Sequence, residues 1–118
     1  MHTHHAIDYV ELKVSDMGAA RKFYAAAFGW EFNDYGPEYS GIKRAGGGEA
    51  GGMFEDKSYS GVRGGPLVVL FSNDLDATVS AVKQAGGAIV TPPFEFPGGR
   101  RFHFADTSGN ELAVWSER

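Results

Sequence analysis

The chain has 118 residues, 42% of them hydrophobic and 14% aromatic, with a formal net charge of -4, a length that suits one domain able to bury its own core. The acidic balance and a sequence pI near 5.5 exclude nucleic acid and an anionic membrane as main partners, because the overall field attracts neither, and leave a small molecule as the expected ligand. Cysteine is absent, which removes disulfides, thiolate metal sites and thiol nucleophiles and suits a reducing compartment, so the expected location is the cytoplasm.

The opening Met1-His2-Thr3-His4-His5 lacks a basic region followed by an apolar stretch, and its histidines are expected to be functionally silent. Ala6 to Val14 alternates as a strand does. Asp16 then suits the N-cap of a helix in which Ala20, Phe23, Tyr24, Ala27 and Phe28 recur at helical spacing, and Gly29 stops it. Trp30 to Tyr35 and Tyr39 to Ala45 read as strands around a Gly-Pro turn, and Gly51 to Phe54 reads as another. A linker is expected at 56–65. Leu67 to Ser72 follows as a strand, its longest aliphatic-aromatic run being far too short to span a bilayer. Asp74 caps a second helix presenting Leu75, Val79 and Val82, which stops at Gly86-Gly87. The closing strands are Ala88 to Thr91, Arg101 to Ala105 and Glu111 to Trp115.

The chain therefore reads twice. Sliding it by the distance from Asp16 to Asp74 also lays Val10 on Val68, Leu12 on Leu70, Ala27 on Ala85, Gly29 on Gly87, Gly41 on Gly99 and Gly51 on Gly109. A repeat of this length is too short for two independent domains, so the halves are expected to complete one core. The predicted fold class is α+β: a single domain over 6–116, built from one βαβββ module at 6–55 and a second at 66–116. Glycine supplies 17 residues and clusters at turns. Gly46-Gly47-Gly48 is not a phosphate cradle by context, since it opens no helix and no Lys-Ser/Thr follows.

The stretch Val10-Glu11-Leu12-Lys13-Val14-Ser15-Asp16, the following Ala19/Ala20, Phe23-Tyr24 and Phe28-Gly29-Trp30, and the late Asp106-Thr107-Ser108-Gly109-Asn110-Glu111-Leu112 together resemble the vicinal oxygen chelate superfamily, which includes glyoxalase I, bleomycin-resistance proteins, fosfomycin-resistance proteins and extradiol dioxygenases. The resemblance covers nearly the whole chain. It implies paired modules whose curved mixed sheets surround a cleft, commonly in a homodimer. It also implies, in metal-dependent members, imidazole and carboxylate ligands on the inner sheet faces. Here the matching positions hold Tyr9, Leu67 and Ala113, with Glu55 the only donor near the remaining one. Leucine and alanine offer no donor atom and a neutral phenol is a poor ligand, so no metal and no other cofactor is expected. Lactoylglutathione lyase activity is not expected either.

If Val10, Leu12 and Val14 face the helices, alternation turns Tyr9, Glu11 and Lys13 toward the cleft. The second module has Leu67, Val69 and Phe71 at those positions, so one wall is expected to be polar and the other apolar, which suits an amphiphilic organic molecule. Tyr9, Lys13, Leu67, Phe71, Arg101, Glu111 and Trp115 form the expected ligand lining, with either face of 101–105 open as the inner one. Lys13 and Arg101 suit an anionic ligand group. Glu11 and His103 are the candidate acid/base groups, with Glu11 alternatively a surface partner of Lys13 or Arg101. Two functions follow: a metal-free binding protein akin to the bleomycin-resistance branch, or an isomerase or lyase using Glu11 or His103. A nonstandard metal site of Glu11, His103 and Glu111 and a packed cleft without ligand are the remaining readings, whereas no serine sits in a Gly-x-Ser-x-Gly context.

Overall fold

The computed structural model describes residues 2–61 and 65–117, leaving part of the expected linker outside the described residues. In chain order it contains β1 (Val10–Val14), α1 (Met17–Phe28), β2 (Phe32–Asp34), β3 (Tyr39–Lys43), β4 (Glu49–Glu55), β5 (Val69–Phe71), α2 (Leu75–Gln84), β6 (Ala88–Phe96), β7 (Gly99–Ala105) and β8 (Glu111–Ser116). Both βαβββ modules are present. Each makes one four-stranded mixed sheet, ordered β1-β4-β3-β2 and β5-β8-β7-β6. In each, the strand before the helix pairs in parallel with the last strand, and the other pairings are antiparallel.

The helices start where their caps require. Asp16 and Asp74 accept hydrogen bonds from the backbone N–H groups of Ala19 at 2.8 Å and Ala77 at 3.1 Å, which satisfies donors that the first turn leaves open. Gly29 ends α1 at φ 72°, a left-handed conformation that glycine adopts without the usual Cβ penalty. The aromatic residues of α1 then fill the space between the sheets: Phe23 and Tyr24 are buried with Met53, Phe102, Phe104, Leu112 and Val114, and Tyr24 stacks on Trp30 with centroids 4.4 Å apart. The two helices pack against each other beside this shared core.

Several expectations about boundaries change. Residues 6–9 precede the sheet register, which begins at Val10 opposite Gly51, and Ile7 is exposed. The strand expected at 88–91 runs on to Phe96, with register shifts between Ile89 and Phe94 that accommodate Pro92 and Pro93; proline lacks the N–H that a regular ladder needs. These shifts also break the fixed repeat spacing. Gly51 lies inside β4 opposite Val10 and Gly41 inside β3, whereas Gly109 sits in the β7–β8 turn and Gly99 starts β7. The helix caps and first strands are true counterparts, but those two glycine pairs are not.

The β7–β8 turn joins the modules. Asp106 is buried, and its carboxylate accepts from the Tyr24 hydroxyl at 2.7 Å, from the backbone N–H groups of Ser108 and Asn110 at 2.8 and 2.9 Å, and from the Asn110 amide at 3.0 Å. Asn110 Nδ2 also donates to the Lys13 carbonyl at 2.8 Å, and Ser108 Oγ accepts from the Ser15 N–H at 2.9 Å. Tyr59 of the linker donates to Asn110 Oδ1. Gly109, at φ 88°, lies so close to the Ser60 carbonyl that a Cβ would reach within 2.6 Å of it, so both the conformation and the close approach require glycine.

Burial and the neighbouring Asp106 charge push the Tyr24 phenol well above its ordinary pKa. A raised value means that the stability tied to the neutral phenol is complete below about pH 10, the ordinary tyrosine value, and is lost as pH rises through the folded value. Tyr24→Phe is expected to cost about 1.5–3 kcal/mol by removing a donor from a buried carboxylate and to flatten the loss of stability above about pH 10. Urea unfolding at neutral and alkaline pH measures both effects.

A candidate ligand cleft with two unlike walls

The faces opposite the core form the candidate site. In β1, Val14 is buried and Leu12 half-buried, while Glu11 and Lys13 alternate to the exposed side with Tyr9 just before them. In β7, Phe102 and Phe104 are buried, which turns Arg101 and His103 to the other face. Register then places His103 opposite Ala113 and Arg101 opposite Trp115, with Phe71 on the other side of Trp115.

The first module supplies a polar wall. Tyr39 donates to Glu11 Oε1 at 2.9 Å and shares a 2.6 Å hydrogen bond with Tyr9. Since Tyr39 has only one proton and the carboxylate takes it, Tyr9 must be the donor to Tyr39. The Tyr9 oxygen therefore keeps acceptor capacity toward the cleft. Gly52 lies beneath both phenols, where a Cβ would collide with their oxygens. Further along, Glu49 accepts from Tyr35 at 2.6 Å and Asn33 at 2.8 Å; these two hydrogen bonds, led by that from Tyr35, hold its carboxyl below the usual range.

The second module supplies an apolar wall. Leu67, Val69, Phe71 and Phe94 are 36–52% exposed, and Phe71 meets Trp115 edge-on at 5.1 Å. The Arg101 guanidinium lies 5.6 Å from the Phe94 centroid, a cation-π distance. At one end of this wall His103 Nδ1 and Glu111 Oε2 are 2.9 Å apart and largely shielded, lining a cavity of about 330 Å³ with Leu67 and Tyr59. A carboxylate can only accept when ionised, so it favours the proton on Nδ1 and leaves Nε2 as the acceptor.

Comparison with known proteins agrees with this architecture. The model of the Glyoxalase/Bleomycin resistance protein/Dioxygenase superfamily matches residues 6–114. The chain belongs to that superfamily. It is 29% identical over 115 residues to the putative glyoxylase CFP32 of Mycobacterium tuberculosis, covering 92% of this chain and 44% of that protein. It is 30% identical to the anthracycline biosynthesis protein DnrV of Streptomyces peucetius, covering 92% of this chain and 40% of DnrV. The chain thus spans less than half the length of these curated relatives. Among solved structures, a glyoxalase-related enzyme from Fulvimarina pelagi matches with a TM-score of 0.80 at 17% identity, covering 95% of this chain and 88% of that one. TnmS3, an antibiotic binding protein from Streptomyces sp. CB03234, matches with a TM-score of 0.68 at 21% identity, covering 98% of each chain.

The superfamily's metal-dependent chemistry does not fit the donor set present here. Tyr9 is a phenol that gives its proton to Tyr39 and in that form is a poor ligand, Leu67 and Ala113 carry no donor, and Glu55 turns to the Met17 N–H at 2.9 Å, at the start of α1. The described residues contain no group of three or more His, Cys, Asp or Glu that could share an ion. The alternative set of Glu11, His103 and Glu111 is therefore not assembled: His103 and Glu111 meet, but the Glu11 carboxylate is bound by Tyr39.

Other candidates also find unexpected partners. Glu11 makes no ion pair with Lys13 or Arg101 among the described residues, because Lys13 Nζ lies over the Tyr59 ring, 5.9 Å from its centroid. Tyr39, Glu49 and Phe94 were not among the residues expected in the lining. Alternation from Gly41 would have found Tyr39, but the prolines hid Phe94 by ending the strand too early in sequence terms.

The Tyr39 phenol is pushed far above its ordinary pKa, first by desolvation and then by its hydrogen bonds to Tyr9 and Glu11. Glu11→Gln removes the charge and weakens the acceptor, so Tyr39 is expected to ionise at a lower pH than in the unsubstituted protein. Carbon-detected NMR of labelled tyrosine measures this; an unchanged Tyr39 titration would contradict the hydrogen-bond chain.

Proposed function

We propose that this member of the glyoxalase/bleomycin-resistance superfamily binds a flat, amphiphilic organic molecule between the two walls, without a catalytic metal. The observation that carries the reading is the exposed apolar surface of Val69, Phe71 and Phe94 beside Trp115, together with the hydroxyl-carboxylate chain of Tyr9, Tyr39 and Glu11, each on the face of its own sheet that alternates with the core face. Apolar surface gives burial, and a few fixed polar groups orient what is buried. Arg101 provides a cation next to the aromatic surface and Tyr9 provides an acceptor opposite it. The neighbour described as an antibiotic binding protein and the relatives described as anthracycline biosynthesis proteins support this class of ligand.

The same exposure supports a homodimer in which a second copy covers part of the apolar wall, since surfaces of this kind commonly mark interaction sites. A cytoplasmic setting suits the cysteine-free composition, and no helix among the described residues is long and apolar enough to cross a membrane.

The His103–Glu111 pair favours a second reading as an isomerase or lyase. With Nδ1 held by Glu111, His103 Nε2 can take a proton from a ligand in the adjoining cavity and return it to another atom, while Glu111 stabilises the imidazolium between the two transfers. Glu11 is the less suitable base, because Tyr39 already donates to it.

Titration with daunorubicin, an anthracycline, tests the first reading through its fluorescence and that of tryptophan. Saturable binding is expected, and Phe71→Ala or Trp115→Ala should weaken it about 10- to 100-fold by removing a large aromatic contact. Binding unaffected by either substitution would place the ligand elsewhere and contradict the reading. Under the enzymatic reading, His103→Gln abolishes proton exchange in a bound substrate while retaining its affinity.

A further inference from the structure

The modules are stitched at the Lys13–Ser15 end of β1 but separate near its Val10 end. There, on the helix side of the sheets, Val10, Leu12, Trp30, Ile42, Val68 and Leu70 line an apolar groove of about 330 Å³. The groove adjoins the cleft without coinciding with it: Leu12 and Val68 also line the His103–Glu111 cavity, and Lys43 and Arg44 also border the hollow beside Tyr9 and Tyr35, whereas Val10 and Leu12 alternate with Glu11 and Lys13 along β1. The volume lies near the lower end of ligand-binding cavities, about 300–1,000 Å³.

The rim of the groove is positively charged. Lys43 and Arg44 border it and also border two adjoining hollows. Their backbone is pinned: Lys43 N–H donates to the Glu31 carbonyl at 2.9 Å, Arg44 N–H donates to the Gly48 carbonyl at 2.9 Å, and Gly47 N–H donates back to the Arg44 carbonyl at 3.1 Å. Their side chains are exposed and form no ion pair within 4.0 Å among the described residues. Three acids lie near without an ion pair to either cation: Asp8, bound by His2 at 2.7 Å and lowered in pKa first by that bond and also by the Arg44 charge; Glu49, opposite Lys43 in the β3–β4 register and engaged by Tyr35 and Asn33; and Glu31, which lines one adjoining hollow.

We propose that this groove is a second binding site, for a single-chain amphipathic anion of the fatty-carboxylate type, with the alkyl chain along Val10, Ile42, Val68 and Leu70 and the carboxylate at Lys43 and Arg44. The apolar lining explains the chain and the charged rim explains the anionic head. The site does not depend on the proposed cleft ligand.

The two tryptophans separate the sites, because Trp30 borders the groove and Trp115 lies on the cleft wall. Decanoate, added below its micelle concentration to Trp115→Phe protein, is expected to change Trp30 emission saturably, whereas acetate at the same concentrations does not. Val10→Phe should block the response by filling the groove. The exposed double substitution Lys43→Ala and Arg44→Ala should weaken decanoate roughly fivefold, the scale of lost surface charge contacts, with decanol binding unchanged; it keeps the test decisive if Val10→Phe fails to fold. No saturable response, equal binding with the rim charges removed, or a response confined to Trp115 in Trp30→Phe protein would overturn the proposal. A dimer that Val10→Arg splits, with no decanoate response, would assign the groove to a second copy and overturn it equally.

Discussion

The carboxylate of Asp106 is the constraint on which the arrangement depends. It is buried, and a buried charge is tolerated only when its lone pairs are satisfied. Here the satisfying donors come from its own turn and from Tyr24 on the helix of the other module. The turn thereby holds Asn110 and Ser108 where they bond Lys13 and Ser15 of the first module. Asp106, Ser108 and Asn110 of the late signature stretch therefore act at the junction between modules, with Asn110 beside the His103–Glu111 cavity.

That junction sets two sheets side by side with different inner faces. Related strands present Tyr9, Glu11 and Lys13 in one module and Leu67, Val69 and Phe71 in the other. The repeated βαβββ module supplies the common geometry, and the side chains that differ between β1 and β5 give the two sheets different surfaces. The core faces, by contrast, stay uniformly apolar because α1 and α2 share one interior. The same seam that closes around Asn110 leaves an opening beside Val10, so one structural asymmetry accounts for both the firm end and the grooved end.

The α+β class, both capped helices and the alternation of buried and exposed residues along β1 were legible because local rules carry them: an N-cap acid, a left-handed glycine and the two-residue strand period act within a few residues. The shift that aligns Asp16 with Asp74 stayed valid only while no residue was inserted, and the proline-bearing β6 broke it. The polar chain on the cleft wall was less legible. Tyr9 and Glu11 were foreseen individually, but their common partner Tyr39 reaches them from another strand. Lys13 illustrates the same limit: strand period places it on the inner face, yet a tyrosine from the linker decides what its ammonium touches. Long-range register, rather than residue chemistry, was the missing information.

The central claim is that one ligand is held between unlike walls set by the module junction. Amide NMR of isotope-labelled protein during a daunorubicin titration tests it most directly, because it reports every backbone position at once. The account predicts saturating shifts at Val69, Phe71 and Trp115 together with Tyr9 and Tyr39, at one common affinity. Shifts confined to other surfaces, or to one wall with the other unaffected, would contradict it.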